Sequence, residues 1–541
     1  MGCVSIPFRR LPHQPRLFVQ FIDDFSSVAN FYAHAPSLES VKQVAQTLEY
    51  PPDRRKEVVS VLRDVNRGFG AGEATLRNLD RLENGAVAIV SGQQVGLFGG
   101  PAYAFYKALS AIRWAEELSD AGIPAVPVFW MATEDHDLDE VRHVSWFDRG
   151  KLTRFELAAE GATGRPVGQV VLGAAVEEMA KSAAAMLSGT SSESVAKMLV
   201  ESYRPEETYG SAFGKLFAQV FGAQGLILLD PLEPRLHRIA APVYRRALED
   251  RDALNEKLLR RSKELETAGF EPQVKVAGKS TLLFRMKGGV REAITAAGNA
   301  GDGAFKAGAA SWKREELVQL VGVEPETFSP NALLRPVVQD FLLPTVGFLG
   351  GPAEISYLAQ SEVVYRQVLG RMPVILPRAD FTILDAKADK ILQKLDLCIE
   401  TIWGGPQELR LRMEAAWLPK KLAHDFDKKK EQIEATLAKL GADIEKLDPT
   451  LAGAVATARE KMTFQLEKLR EKTGRAIDEK AGLIAEKAEF LENLLYPNRA
   501  LQSRELCFLP FLAQWSGDGL AELQALAGSE NFKEHRMVRI G

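Results

Sequence analysis

Only three cysteines occur in the 541 residues, Cys3, Cys398 and Cys507, and none forms a C-x-x-C pair. Their separation excludes a disulfide framework and a cysteine zinc site, and it suits a reducing cytoplasm. Charge of one sign is missing as well: 68 Lys and Arg against 72 Asp and Glu leave a formal net charge of -4. That balance carries no electrostatic footprint for nucleic acid or an anionic membrane, so a small-molecule or protein partner is expected. There is no uncharged apolar run of membrane-spanning length, and the opening stretch MGCVSIPFRRLPHQP lacks a signal peptide's apolar segment. Ile6 stands where a myristoylation signal needs Ser or Thr.

What the chain does have is apolar mass, 46% hydrophobic residues, enough for two or three domains with large cores. GAVAIVSG, from Gly85 to Gly92, reads as a strand buried on both faces because it is short, apolar and rich in Ala and Val. QQVGLFGGP, a helical pattern in AYAFYKALSAIRWAEEL and a second apolar run, AVPVFWMA, follow it. Strand, glycine loop, helix and strand make a βαβ unit with a right-handed crossover. GLFGGPA, Gly96 to Ala102, then returns almost letter for letter as GFLGGPA, Gly347 to Ala353, again between an apolar run and a helical pattern. Both copies are expected to open helices at the carboxyl edge of one parallel sheet. There Gly99, Gly100, Gly350 and Gly351 would let the backbone approach an anion at a helix N-terminus.

The run AVPVFWMA ends abruptly in Thr133-Glu134-Asp135-His136-Asp137, which sets acids and an imidazole at the same sheet edge. Asp135, His136 and Asp137 are the catalytic candidates; ligating a divalent metal, accepting an ammonium and general acid-base work all fit these residue types. The metal itself stays unassigned. Arg335, in SPNALLRPVVQDFLLP, and Arg378, after the short apolar run VILP, can each hold a carboxylate or phosphate in bidentate fashion. Gln94, Lys107, Glu354 and Tyr357 are further substrate-binding candidates near the two loops. GKST at Gly278 to Thr281 is half a P-loop, with Gln273 in place of the leading glycine, and EPQVKV with TLLFRM reads as a hairpin turning at Ala277-Gly278.

Near the carboxyl end, Phe426, Ile433, Leu437, Leu440, Ile444 and Leu447 form a heptad seam with charged flanks. Asp448-Pro449 starts a second helix in which Met462, Leu466, Leu469, Ile477, Ile484 and Leu491 repeat likewise. The result is an antiparallel helical hairpin, its first helix roughly 35 Å long at ~1.5 Å per residue.

GQQVGLFGGPAYAFYKA, PVFWMATEDHDLDEV, LLRPVVQDFLLPTVGFLGGPAEISYLAQ and LLYPNRALQSRE together resemble the cysteine-adding enzyme family of bacillithiol biosynthesis, over nearly the whole length. The resemblance implies an α/β fold: a Rossmann-like parallel sheet similar to class I nucleotidyl-transferring synthetases, with helical insertions and a coiled-coil arm. Residues 1–385 would form the core, with insertions at about 145–330, residues 386–495 the arm, and 496–541 a segment returning to the core. The H-x-G-H and K-M-S-K-S loops of such synthetases are not present; Leu-Phe-Gly-Gly-Pro-Ala-Tyr replaces the first. The implied reaction is amide formation between cysteine and glucosaminyl-malate, with ATP or ADP as the nucleotide and a homodimer formed through the arm. Arg335 and Arg378 would pair with the malyl carboxylates. Tyr496, Asn498, Gln502 and Arg504, in LLYPNRALQSRE, are the candidates for the nucleotide site, Tyr496 by stacking on a base and the others by hydrogen bonds.

Overall fold

Five parallel strands form the central sheet of the computed structural model, which describes residues 3–158, 164–297, 303–416, 420–479, 483–515 and 518–539. They are β1 (Val87–Gln93), β2 (Ala125–Met131), β3 (Ile227–Leu229), β4 (Thr345–Gly350) and β5 (Val374–Pro377). Their spatial order is β5-β4-β1-β2-β3. Every pairing is parallel. The direction of winding reverses between β1 and β4, and a doubly wound sheet leaves a crevice outside its strand ends at such a switch point.

Burial on both faces explains the composition of these strands. All seven residues of β2 are buried, and in β1 only Gln93 is partly exposed. An alternating polar face would have to lie against a helix, so the runs are nearly continuous in apolar residues. Helix α1 (Tyr103–Asp120) crosses from β1 to β2, and α2 (Pro352–Val368) from β4 to β5. The expected stretch of insertions at 145–330 is divided by β3, so two insertions flank that edge strand.

The second insertion carries a five-stranded antiparallel sheet that includes Ser280–Lys287, Val290–Ala297 and Phe328–Pro330. Its main hairpin turns at Gly288-Gly289 and not at Ala277-Gly278, and EPQVKV is not a strand. Both glycines have positive φ, 58° and 81°, the conformation that a tight two-residue hairpin turn demands. The last strand, Glu534–Arg539, lies between Cys3–Pro7 and Phe381–Leu384 and so ties both ends of the chain to the core.

The arm is the antiparallel pair α3 (Lys420–Leu447) and α4 (Ala452–Glu479), 28 residues each, or about 42 Å. Phe426, Ile433, Leu437 and Ile444 turn partly buried faces to the partner helix. Gly441 takes the next seam position in place of Leu440, where a Cβ would meet Val455 Cγ1 at 2.7 Å. Leu440, Met462 and Leu469 point outward, 53%, 48% and 55% exposed, as does Phe464 at 56%. Leu447 is exposed at the tip. Lys430–Glu467 at 2.9 Å and Arg470–Asp427 at 2.8 Å bridge the two helices. Ile484 and Leu491 belong to the main hydrophobic core at the base, and the side chain of Ile477 lies outside the described residues. Among the described residues no helix is long and apolar enough to cross a membrane.

Candidate active site at the switch point

A cavity of about 770 Å³ opens at the carboxyl ends of β1, β2 and β4. Its wall includes Gln94, Lys107, Asp135, Arg335, Gly351, Glu354, Tyr357, Arg378 and Arg504. Segments distant in sequence thus bring nine of the candidate residues to one surface.

The two Gly-Gly-Pro copies fold differently. In the second, Gly347 to Gly350 are strand residues, Gly351 is the N-cap and Pro352 is the first residue of α2, so this helix start faces the cavity. Glu354 Oε2 accepts the Gly351 N–H at 2.8 Å. In the first copy a single tight turn intervenes before α1. Phe98 sits there at φ 53° among Trp146, Phe155 and Tyr203, with ring centroids 6.2, 5.9 and 5.0 Å away. Gly99, at φ 86°, donates its N–H to Tyr203 Oη at 2.8 Å, and the Gly100 N–H goes to Leu97 O at 2.9 Å. A Cβ on Gly99 would lie 2.7 Å from Phe105. Gly99 and Gly100 therefore shape a buried loop, their N–H groups are taken within the protein, and they do not line the cavity. Gly350 is buried within β4. The tyrosines that follow differ in the same way: Tyr106 is fully buried, whereas Tyr357 Oη accepts from Arg335 Nη2 at 3.3 Å on the cavity wall.

The acidic pentapeptide separates into different environments. Thr133 Oγ1 donates to half-buried Asp230 Oδ1 at 2.5 Å. Asp135 Oδ1 accepts the backbone N–H groups of His136 and Asp137 at 2.7 and 3.3 Å, and Oδ2 accepts from Gln94 Nε2 at 2.7 Å. Gln94 Nε2 also reaches Glu140 Oε2 at 2.5 Å, so one amide draws two carboxylates to the cavity edge. His136 stands outside the cavity wall, its side chain 43% exposed, with Nδ1 3.4 Å from Arg291 Nη1. Asp137 caps the short helix Leu138–Val141 by accepting the Glu140 N–H. Glu134, absent from the catalytic candidates, points inward, is 6% exposed and lines the cavity. Burial lifts its carboxyl to about 8, and the nearby Asp230 and Asp135 add to the effect against the pull of Arg291 and Arg335. Among the described residues, no three His, Cys, Asp or Glu side chains group as metal ligands.

Lys107 lies buried between β1 and α2. Its ammonium donates to Gly92 O and Gln93 Oε1, both at 2.7 Å, and pairs with Glu354. Three donors thus meet three acceptors, and the residue ties the end of β1 to the start of α2 across the switch point. Burial lowers the ammonium to about 8 even with Glu354 opposing. Arg335 is held by Gln339 Oε1 at 3.1 Å and by Tyr357. Arg378 gives Nη1 to Asp380 Oδ1 at 2.6 Å, while its Nε is buried with no hydrogen-bond partner. A buried donor left unmatched on a cavity wall calls for an acceptor from a ligand.

The four residues considered for a nucleotide do not form one surface. Tyr496 is 4% exposed, so its ring is not available to a base. Gln502 is fully buried: Oε1 accepts the Ile383 N–H at 2.6 Å, and Nε2 donates to Ile383 O and Leu494 O, both at 2.9 Å. Asn498, at φ 52°, donates to Glu505 on the outside. Arg504 alone turns into the cavity. Arg378 Nε and Arg504 present cationic donors of the kind that a phosphate or carboxylate group accepts from.

Arg291, Phe284 and Tyr103 also line the wall, and no sequence pattern marks them as site residues. Arg291 and Phe284 arrive from the antiparallel sheet of the second insertion, and nothing local in GGVREAITAA marks a contact with TEDHD.

Residues 1–379 match the family described as Bacillithiol biosynthesis BshC, N-terminal Rossmann-like domain, and residues 381–540 match its C-terminal coiled-coil domain. A protein of Koribacter versatilis named "Putative cysteine ligase BshC" is 39% identical over 536 residues, covering 99% of each chain. Proteins of the same name in Solibacter usitatus and Symbiobacterium thermophilum are 37% and 34% identical, with 95% and 90% of each chain covered. A Rossmann-like sheet joined to a coiled-coil arm, matched from end to end, makes this chain a member of the BshC family of bacillithiol biosynthesis.

Proposed function

We propose that this chain joins cysteine to glucosaminyl-malate through an amide bond, with ATP supplying the leaving group that activates the cysteine carboxyl. The polarity of the cavity carries the reading: Arg335, Arg378 and Arg504 line it together with Glu134, Asp135 and Glu140. A substrate with two carboxylates close to an amine is complementary to such a wall. The malyl carboxylates belong at Arg335 and Arg378, where Arg378 Nε lacks an acceptor. The amine belongs near Asp135, which Gln94 orients, with His136 at the rim. Arg504 receives the phosphate of the activated acyl donor. The name of the relatives, cysteine ligase, supports the same bond-forming chemistry. We further infer a homodimer through the exposed apolar stripe of the arm.

Incubating purified protein with cysteine, glucosaminyl-malate and ATP, with mass spectrometry for the amide and with ATP omitted in a parallel sample, tests the reading. Product only in the complete mixture supports it. No product from well-folded protein that still binds glucosaminyl-malate would make the chain a binding protein of the pathway.

A further inference from the structure

We propose that Glu134 is the general base of the cavity, taking the proton from the amine nitrogen as the amide bond forms; the assignment rests on the amide-forming reading above. Glu134 lines the cavity at the end of β2, and its Oε1 is buried with no hydrogen-bond partner. Its neighbour Asp135 has both oxygens engaged, one by two backbone N–H groups and the other by Gln94. Of the two carboxylates, Glu134 is therefore the one that no hydrogen bond engages, its Oε1 turned inward towards His237.

The groups around Glu134 keep it in that state. Arg291, from the antiparallel sheet, attracts the carboxylate, yet its donors go elsewhere: Nε to Ser329 Oγ at 2.9 Å and Nη2 to Pro330 O at 2.6 Å. His237, from the helix Pro234–Glu249, places Nε2 3.6 Å from Glu134 Oε1. Burial holds that imidazole low, at about 4, so at neutral pH it is uncharged and forms no ion pair. Its Nδ1 is 3.1 Å from Tyr244 Oη. Asp230 after β3 and Asp135 on the same loop repel the charged form, and Arg335 supports it. A carboxyl whose affinity for a proton lies close to the working pH both accepts and releases one readily.

The step balances without a further reactant beyond an acyl phosphate or acyl adenylate of cysteine. The amine lone pair forms the C–N bond to the acyl carbon. The C–O bond to the phosphoryl group then breaks, and that group departs with the electron pair. The surplus proton on nitrogen passes to the Glu134 carboxylate and from there to solvent through the cavity mouth.

The test compares wild type, Glu134→Gln and Glu134→Asp in the complete ligase assay across pH, with glucosaminyl-malate affinity measured by calorimetry. In Glu134→Gln, turnover should fall about 10²- to 10⁴-fold while affinity changes little, and the rise of rate with pH should disappear. In Glu134→Asp, a slower enzyme should keep that rise with a displaced midpoint, which reports on the carboxyl even if the Gln variant folds poorly. Wild-type turnover in Glu134→Gln, or an unmoved midpoint in Glu134→Asp, overturns the assignment and leaves the ligase reading standing. A wild-type protein that makes no amide overturns both.

Discussion

His535 Nδ1 lies 3.0 Å from Asp380 Oδ2, and Asp380 Oδ1 in turn holds Arg378 Nη1 at 2.6 Å. His535 Nε2 is 2.8 Å from Thr382 Oγ1, which fixes the ring from its other side. All four residues are buried. The final strand of the chain thereby orients a cation on the wall of a cavity built on the central sheet, which makes His535 and Asp380 positioning residues for Arg378.

Asp380→Asn should destabilise the protein by about 3–5 kcal/mol, because it leaves the Arg378 charge buried without its partner. Urea denaturation measures the loss. Burial alone would raise the Asp380 carboxyl, yet Arg378 and His535 together hold it well below the usual carboxylate range. A depressed native pKa contributes stability that is complete above the unfolded value of about 3.9 and fades as pH falls below it. Wild type should therefore lose stability below about pH 4 more steeply than Asp380→Asn.

Glu134→Gln should be more stable than wild type in alkaline solution. Burial raises the Glu134 carboxyl from 4.5 to about 8, so the native state keeps a proton that the unfolded chain has released. Stability then falls as pH rises through that window and levels off above it. Melting temperatures measured by calorimetry should agree near pH 4, and the variant should melt a few degrees higher near pH 8. Equal melting temperatures at both pH values would mean that Glu134 is not strained by its setting.

Arg504→Ala should weaken glucosaminyl-malate or ATP binding by about 10- to 100-fold, the magnitude of one lost charge-assisted hydrogen bond of about 1.5–3 kcal/mol. Its melting temperature should stay close to wild type. Asn498→Ala, altering an exposed side chain outside the cavity, should leave both affinities unchanged. Calorimetric titration of the two variants with each ligand separates a cavity role for this segment from a surface role.

Light scattering should find two copies of the intact protein per particle, and one copy when Phe464 and Leu469 are both replaced by Glu. These side chains are 56% and 55% exposed on a thin hairpin that has little core of its own. A monomeric wild type would end the inference.

Local patterns made much of the architecture legible. The runs Val87–Gln93 and Ala125–Met131 are strands, Tyr103–Asp120 is the helix between them, and Lys420–Leu447 turns back on Ala452–Glu479. Doubly buried strands must be apolar throughout, and helices must repeat at their own period, so these properties are written in neighbouring residues. The sequence also determined which chemistry was available at the sheet edge: glycine-proline helix starts, acids and arginines. Only the tertiary structure decided what each residue does there. Phe98 and Phe348 occupy near-identical heptapeptides, yet one plugs a loop among Trp146, Phe155 and Tyr203 while the other is a strand residue beside Val90. Glu134 and Asp135 are adjacent and chemically alike, yet they differ because His237, Arg291 and Asp230, all far away in the chain, surround one, and Gln94 satisfies the other. Hydrogen-bond satisfaction and desolvation are set by contacts across the fold, and contacts across the fold leave no period in the sequence.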